Sequence, residues 1–263
     1  MTTTVGQALE KQQNSPASAI ARYKSDFAMV LPATFKPDTF VRLAQCALRQ
    51  NQKLREAAET NPGSLLVALL ECARLGHEPA TDEYYLVPRK TKQGPTVQGI
   101  EGYKGQIKRM FKSGMVESVV AEAVYETDQF EWRPGDMKTP QHIVDNWFGD
   151  RGRCVGAYAY AILRGGSISK VVVIGEKRIQ RAMSASDGAS SEYSPWKRDY
   201  DKMVIKTALH DLEPYVPKSA EFIAMDAHTR AQVADIVADN ELPPPTDNID
   251  AETGEILDAE IVN

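Results

Sequence analysis

The chain has 263 residues and a mass of 29.1 kDa; 42% of the residues are hydrophobic and 25% are charged. This composition is typical of a globular protein and argues against a fibrous repeat or a chain that is disordered throughout. No apolar run approaches the roughly 20 residues that cross a bilayer, and the first residues lack the apolar segment of a secretory signal. The three cysteines are far apart in the sequence, which is typical of reduced thiols. We therefore expect a cytoplasmic protein.

The net charge of −5 is divided unevenly along the chain. Residues 235–263 contain nine acidic residues and no Lys or Arg, so residues 1–234 carry 31 basic and 27 acidic residues, a net charge of +4. A basic body with an acidic end indicates a nucleic-acid partner. The acidic segment shows no helical or strand period, and we predict that 235–263 is a disordered tail. Two roles stay open for it, a solubilising segment and a docking motif for another protein.

The first third of the chain is predicted to be helical. Residues 1–33 form a flexible segment with helical potential at 18–30, and this segment is a candidate for oligomer contacts. A second helix begins at Pro37, because proline suits the first turn, and carries apolar residues at helical spacing up to residue 48. Ser64 is the predicted N-cap of a third helix that Gly76 ends. That helix is apolar nearly all round and should be buried.

The hydrophobic period then changes from 3.6 to 2, which predicts strands at 84–88, 96–100, 116–125, 154–163 and 168–174. Residues 89–95 are predicted to be the turn between the first two strands, and Gly165-Gly166 the turn of a hairpin between the last two. Further helices are predicted at 103–114, 176–183, 195–212 and 220–238. The predicted class is α+β, with a central antiparallel sheet of roughly five strands flanked by helices, and residues 34–234 form one ordered domain.

The sequence lacks the motifs of common catalytic sites. There is no phosphate-binding G-x-x-x-x-G-K-[ST] loop, so an ATP-driven motor is not expected. The four histidines match no zinc-binding spacing. Glu126 and Asp128 are the remaining candidates, because alternate carboxylates on a strand would face the same side and hold Mg²⁺ for phosphodiester hydrolysis. We find no third ligand for them in the sequence. A magnesium-dependent nuclease centred on these two residues is kept as an alternative to a structural role.

Basic residues are concentrated between positions 85 and 120, a stretch that contains seven Lys or Arg residues and only two acidic residues. Lys104, Lys108 and Lys112 recur every four residues and therefore line one side of the predicted helix. Ile107, Met110 and Phe111 are predicted to form its core-facing side. Like charges at this spacing repel by about 0.2–0.5 kcal/mol per pair, a cost that an anionic partner would remove.

Basic residues interleaved with aromatic ones are typical of a groove that binds single-stranded nucleic acid, because cations follow phosphates and aromatic rings stack on bases. For Trp196, core packing is as good an interpretation as base contact. The candidate DNA-binding residues are Arg89, Lys90, Lys92, Tyr103, Lys104, Lys108, Arg109, Lys112, Arg178, Arg181, Trp196, Lys197, Arg198, Lys202 and Lys206. No base-reading motif accompanies them, so the predicted binding is independent of sequence.

Several blocks of the chain resemble the RecT family, the phage-type single-strand annealing proteins. The blocks are LLECARLGHEP at 69–79, YLVP at 85–88, GYKG at 102–105 leading to Ser113-Gly114, VYETDQF at 124–130, the strand at 155–163, and the stretch from Pro195-Trp196 through KTA at 206–208 to YVP at 215–217. The resemblance runs from about residue 35 to residue 217. One departure is His210-Asp211-Leu212-Glu213, where relatives often have further basic residues; it argues against a phosphate contact at the end of that helix.

The resemblance implies a protein of phage recombination that acts in the cytoplasm of the bacterial host. It implies binding of single-stranded DNA, ATP-independent annealing to a complementary strand to give duplex DNA, and assembly into a ring or helical filament. It also implies a phage exonuclease as partner. It implies no catalytic residue and no required cofactor, and it argues against catalysis by Glu126 and Asp128. A protein that coats single strands passively is a further alternative. For the acidic tail, the two roles are then contact with a host single-strand-binding protein and screening of the basic groove by mimicking DNA charge.

Overall fold

The computed structural model describes residues 15–92, 94–186, 192, 194–243 and the strand at 260–261. The first elements are α1 (Pro16–Arg22), α2 (Lys24–Val30), α3 (Pro37–Gln50), α4 (Gln52–Thr60) and α5 (Pro62–Leu75). They are followed by β1 (Tyr84–Thr91), β2 (Gly94–Glu101), α6 (Tyr103–Lys112), β3 (Val116–Tyr125), β4 (Gln129–Glu131), β5 (Gln141–Ile143), β6 (Cys154–Leu163) and β7 (Val172–Gly175). The last elements are α7 (Glu176–Ala185), α8 (Pro195–Arg198), α9 (Tyr200–Leu212), a 3-10 turn (Glu213–Tyr215), α10 (Ala220–Asp239) and β8 (Glu260–Ile261).

Helices and antiparallel strands are thus both present, which confirms the predicted α+β class. The elements group into two compact units. Unit 1 comprises the described residues up to Gly105 together with α10 and β8, and unit 2 comprises residues 106–219. Residues 34–234, which were predicted to form one ordered domain, contribute to both units. Among the described helices, none has the length and apolar composition needed to cross a bilayer.

The core of unit 1 is mainly helical. Ile20, Phe27, Phe40, Leu54 and Leu69 are all buried in one apolar cluster, and the rings of Phe27 and Phe40 are 5.2 Å apart. Because α1 and α2 contribute to this cluster, residues 16–30 are packed helices, in agreement with the helical potential predicted at 18–30. Residues 1–14 lie outside the described residues. Residues 235–239 are also helical, and most of the predicted acidic tail lies outside the described residues.

The buried helix α5 begins earlier than predicted. Asn61 is its N-cap, since the Asn61 side-chain oxygen accepts a hydrogen bond from the backbone N–H of Ser64 at 3.1 Å. Ser64 lies inside the helix, where its hydroxyl oxygen accepts a hydrogen bond from the backbone N–H of Val97 in β2 at 2.9 Å. The predicted end is confirmed, because Gly76 adopts the left-handed conformation with φ of 68°. Ser64 therefore connects α5 to the β1–β2 hairpin.

The β1–β2 hairpin pairs Tyr84 with Glu101 at one end and Thr91 with Gly94 at the other. The strand therefore continues to Thr91 and leaves only positions 92 and 93 as the connection, so the turn predicted at 89–95 is too long. The other edge of β1 pairs antiparallel with β8, with Arg89 opposite Ile261 and Lys90 opposite Glu260. These three strands form the sheet of unit 1, in the order β2-β1-β8.

Unit 2 contains a second three-stranded sheet, in the order β3-β6-β7. The predicted Gly-Gly turn after β6 is confirmed, because Gly165 and Gly166 have φ of 85° and 75°, values that suit glycine. Helix α9 packs against this sheet through Val204, Ala208 and Leu209. The short pair β4–β5 completes the unit.

All five predicted strands exist, but they do not form one central sheet. The first two pair with each other in unit 1, and the other three pair in unit 2. Two predicted helices are each divided into two, at Tyr23 and at Asp199. The hydrophobic period identifies a strand by its own side chains, but the partner of that strand depends on packing between distant parts of the chain.

Candidate nucleic-acid interface

The first group of predicted contacts lies in the β1–β2 hairpin of unit 1. Lys90 and Lys92 are exposed near its end. Arg89 is 5% exposed, and its Nε donates a hydrogen bond to Oε1 of Gln98 on β2 at 3.1 Å. Arg89 therefore holds the two strands together, and the hairpin presents Lys90 and Lys92 to solvent.

The motif Gly102-Tyr103-Lys104-Gly105 begins α6 in contact with the backbone of Asp82 and Glu83. A Cβ atom at Gly102 would lie 2.2 Å from the carbonyl oxygen of Asp82, and one at Gly105 would lie 2.4 Å from that of Glu83. Only glycine allows this close approach at both positions. The start of α6 is thereby fixed against the loop that precedes β1.

Polar contacts surround the same turn. Nε2 of the buried His77 lies 2.8 Å from Oε1 of Glu101, the last residue of β2. At the surface, Nζ of Lys104 lies 2.6 Å from Oδ2 of Asp82, and both side chains are largely exposed. The Lys104 ammonium lowers the pKa of Asp82. An ion pair this exposed is worth little, so a phosphate can compete with Asp82 for Lys104.

The predicted lysine face of α6 is present. Lys104 and Lys112 are exposed and Lys108 is half-buried, while Met110 is buried. The prediction that Phe111 faces the core is wrong, because its side chain is 43% exposed. At 100° per residue, Phe111 lies between the buried Met110 and the lysines, so it belongs to the margin of the lysine face. An aromatic ring therefore lies beside these cations.

Two predicted phosphate ligands of unit 2 are held by carboxylates. Nη1 of Arg109 lies 3.0 Å from Oε1 of Glu213, and Arg178 donates to both carboxylate oxygens of Asp211 at 2.8 and 2.9 Å. Burial opposes ionisation of both carboxyls, but His210 with Arg178 lowers the pKa of Asp211, and Lys218 with Arg109 lowers the pKa of Glu213. Both acids belong to the stretch His210-Asp211-Leu212-Glu213, for which no phosphate contact was predicted.

The remaining predicted residues lie on α7, α8 and α9. Trp196 is 3% exposed, and its Nε1 donates to Oγ of Ser186 at 2.8 Å. This favours the packing interpretation, and we propose no base contact for Trp196. Lys206 is half-buried, and the exposed cations are Arg181, Lys197, Arg198 and Lys202. Nζ of Lys202 lies 2.6 Å from Oδ1 of Asp199 at the start of α9.

An open cleft of about 550 Å³ lies where β7 leads into α7. Its apolar lining comes from β7, and its basic lining comes from Lys177, Arg178 and Arg181 on α7. Asp211 also lines the cleft and neutralises Arg178. The cleft thus combines an apolar wall with cations, a combination that suits a base and its phosphate.

The acidic residues considered for magnesium are not aligned on a strand. Glu126 and Asp128 lie in the turn after β3. Glu126 pairs with Arg153 at 3.3 Å, and Asp128 accepts two hydrogen bonds from Arg151 at 2.6 and 3.0 Å. Within the described ranges, no cluster of three or more His, Cys, Asp or Glu side chains is suited to hold a metal ion. Arginines therefore occupy the positions beside these carboxylates.

Asp128 is the centre of a polar cluster in unit 2. Its side chain is 1% exposed, and it also interacts with Nε2 of His142 at 3.0 Å and with the backbone N–H of Tyr125 at 2.8 Å. Burial opposes ionisation of this carboxyl, but the hydrogen bonds from Arg151, His142 and Tyr125 outweigh burial and hold the pKa of Asp128 well below its usual range. Asp128 therefore fixes the guanidinium of Arg151.

That guanidinium supports aromatic residues that the sequence analysis missed. The Arg151 guanidinium carbon lies 4.1 Å from the ring centre of Tyr125 and 5.3 Å from that of Trp147. Trp147 is 65% exposed, and Phe148 is fully exposed. The signal in the sequence was the adjacent Trp-Phe pair between polar residues, Asp145-Asn146 and Gly149-Asp150, because large apolar side chains seldom occupy such a loop without a partner.

The model of the RecT family matches residues 38–246. Protein RecT of Escherichia coli (strain K12) is 30% identical over 213 residues, which cover 77% of this chain and 76% of that protein. The chain belongs to the RecT family. Membership identifies a protein of DNA recombination and single-strand annealing. The match extends beyond the predicted end of the resemblance at residue 217 and includes α10.

The cluster around Asp128 yields a stability prediction for this RecT-family chain. Asp128→Asn leaves the half-buried Arg151 without its charge partner, and we expect it to lower the free energy of unfolding by about 3 kcal/mol. The matched change Glu126→Gln affects an exposed pair and should cost less than about 0.5 kcal/mol. Urea unfolding measures both.

The pH dependence of this difference has a definite sign. The folded-state pKa of Asp128 is lowered, so its contribution is complete above the unfolded value of roughly 3.9 and is lost as the pH falls through the folded value. The gap between wild type and Asp128→Asn should therefore be constant near neutral pH and shrink below about pH 4. A gap that is absent at pH 7 would show that the cluster does not stabilise the fold.

Proposed function

We propose that this RecT-family protein anneals complementary single strands of DNA without ATP and without covalent chemistry. The observation that carries the proposal is the lysine face of α6 with Phe111 at its margin, in a chain of this family. Lys104, Lys108 and Lys112 contact the phosphates of one strand. These lysines line the proposed basic groove for the DNA backbone. Within each unit taken by itself, further cations are available to phosphates: Lys90 and Lys92 in unit 1, and Arg181, Lys197, Arg198, Lys202 and Lys206 in unit 2.

Annealing by this route needs no catalytic residue. Two strands repel each other through their phosphates, and pairing also requires that they align. Lysines that neutralise one backbone reduce the repulsion and hold the strand extended. The duplex supplies the driving force, about 1.4 kcal/mol per base-pair step from stacking. No cofactor is required, and subunits side by side in a ring or filament would lengthen the groove.

The contacts that we propose are independent of base sequence. Lysine is a point charge on a flexible stem and carries no geometric preference for one base. Exposed aromatic rings at Phe111, Trp147 and Phe148 offer stacking faces that accept every base. A phage exonuclease and a host single-strand-binding protein are the partners that we propose for the recombination reaction.

The function is tested by fluorescence annealing of two complementary strands in the absence of ATP. We expect the protein to accelerate duplex formation and to leave both strands intact, with or without Mg²⁺. Shortened strands in Mg²⁺ would favour the nuclease alternative at Glu126 and Asp128. Slower pairing despite strand binding would favour a passive coating protein. Either result contradicts the proposal.

The lysine face predicts the salt dependence of binding. Lys104→Ala, Lys108→Ala and Lys112→Ala should each weaken binding of a single strand and lower the slope of log affinity against log salt by about 0.7, the value for one lost phosphate contact. Lys36→Ala is the matched control, because this exposed lysine makes no side-chain cap contact at the start of α3. Slopes that stay unchanged in all three variants would remove α6 from the DNA surface.

The exposed aromatic residues make a separate prediction. Trp147→Ala, Phe148→Ala and Phe111→Ala should each weaken single-strand binding about 5- to 150-fold if the ring stacks on a base. The conservative changes Trp147→Phe and Phe148→Tyr should preserve binding, since the stacking face remains. Met225→Ala, at an exposed apolar residue of α10, is the control. Equal affinities in all these variants, measured by fluorescence anisotropy, would contradict the stacking role.

A further inference from the structure

The outer edge of β1 is the feature that the proposed function leaves unexplained. One edge of β1 pairs with β2 along eight residues, whereas the other pairs with the short β8 at Arg89 and Lys90 and forms a single bridge from Tyr84 to Pro79. A strand edge presents N–H and C=O groups that accept another strand. Addition of an extended segment to such an edge is a common mode of peptide binding, in which backbone hydrogen bonds supply affinity. Here the added strand is the C-terminal segment of the chain itself.

The charges of the two partners are complementary. Residues 247–260 contain six acidic residues and no Lys or Arg. The last of these acidic residues, Glu260, lies opposite Lys90. The exposed Lys92 follows Lys90 by two positions. Residues 247–260 therefore have the same sign of charge as a DNA backbone, and Glu260 itself lies opposite Lys90 of the hairpin.

The length of the chain permits docking within one molecule. Glu260 lies 17 positions along the chain from Pro243, which follows α10. An extended chain advances about 3.3 Å per residue, so this stretch spans up to about 56 Å. Both α10 and β1 belong to unit 1. No second copy is needed to supply the strand.

We propose that the acidic C-terminal segment docks in cis on the outer edge of β1 and competes there with nucleic acid for Lys90 and Lys92. The docking stands on the strand pairing alone, and the competition rests on the proposed function. When the docked form predominates, the binding-competent fraction falls and the apparent affinity falls with it. If the segment is docked in about four molecules of five, it weakens binding at the hairpin about fivefold.

Disulfide trapping tests the docking without DNA. Lys90→Cys with Glu260→Cys places two thiols directly opposite each other in an antiparallel pair, where the Cβ separation of about 4.5–5.5 Å is close enough for a disulfide after small adjustments. The background carries Cys46→Ser, because Cys46 is exposed while Cys72 and Cys154 are buried. Lys92→Cys with Glu260→Cys is the register control.

We expect a disulfide within the monomer that forms faster at 90/260 than at 92/260. Disulfide-linked dimers alone would mean that a second copy supplies the strand, which contradicts docking in cis. Equal rates at the two positions, or no disulfide at either, would contradict the pairing itself.

Two variants then test the competition by titration with a fluorescent single strand. Truncation after Pro243 removes both the strand and the acidic charges. Ile261→Pro with Val262→Pro keeps every charge but removes two consecutive backbone N–H groups, one of which must face β1 in a strand. We expect both variants to bind about fivefold more tightly than the full chain.

The other outcomes separate the two parts of the proposal. Tighter binding by the truncation alone would mean that the tail acts by its charge, which overturns competition through β8. Unchanged affinity in both variants, together with a disulfide at 90/260, would overturn the competition and leave the docking. If the full chain and both variants all fail to bind the strand, the proposed function fails, and the disulfide result still decides the docking.

Discussion

Ion pairs between half-buried arginines and carboxylates hold the elements that present the cationic surface. Glu213 holds Arg109 of α6, Asp211 holds Arg178 of α7, and Asp128 holds Arg151 beside the aromatic loop. The planar guanidinium suits such pairing, because it donates two parallel hydrogen bonds to one carboxylate. On α6, Lys104 and Lys112 are exposed, Lys108 is half-buried, and Lys104 also pairs with Asp82. Within the described part of unit 2, these three arginines are held by carboxylates, whereas the exposed cations include Lys112, Arg181, Lys197, Arg198 and Lys202.

Local signals in the sequence were sufficient where one short segment decides the structure. The Gly165-Gly166 turn, the end of α5 at Gly76 and the start of α3 at Pro37 each depend on backbone preferences of a few residues. The basic helix α6 was also predictable, since its period is local. The glycines at both ends of its first motif have a physical explanation only in the structure, where the backbone at Asp82 and Glu83 passes against them.

The features that could not be predicted from the sequence depend on contacts between residues that are far apart along the chain. The sequence around a basic residue does not show whether its side chain faces solvent or pairs with a distant carboxylate. Arg178 pairs with Asp211, which is 33 residues away. Arg89 and Trp196 are buried for the same kind of reason, since each meets a partner on another element. The division of five strands between two sheets likewise depends on which helices cover them. Phe111 is a different case. A helical wheel places it at the boundary between the buried side and the lysine face of α6, and only the structure shows that its side chain is exposed.

The pairing of β8 with β1 also bears on how preparations of this protein behave. A protease that removes the C-terminal segment also removes β8. The outer edge of β1 then loses its partner at Arg89 and Lys90, while the inner edge stays paired with β2. Bare edges of this kind join to one another between molecules. Clipped material would therefore form edge-to-edge aggregates, and a particle size measured on it would be mistaken for functional assembly. Mass spectrometry of the intact C-terminus belongs beside any sizing of the oligomer.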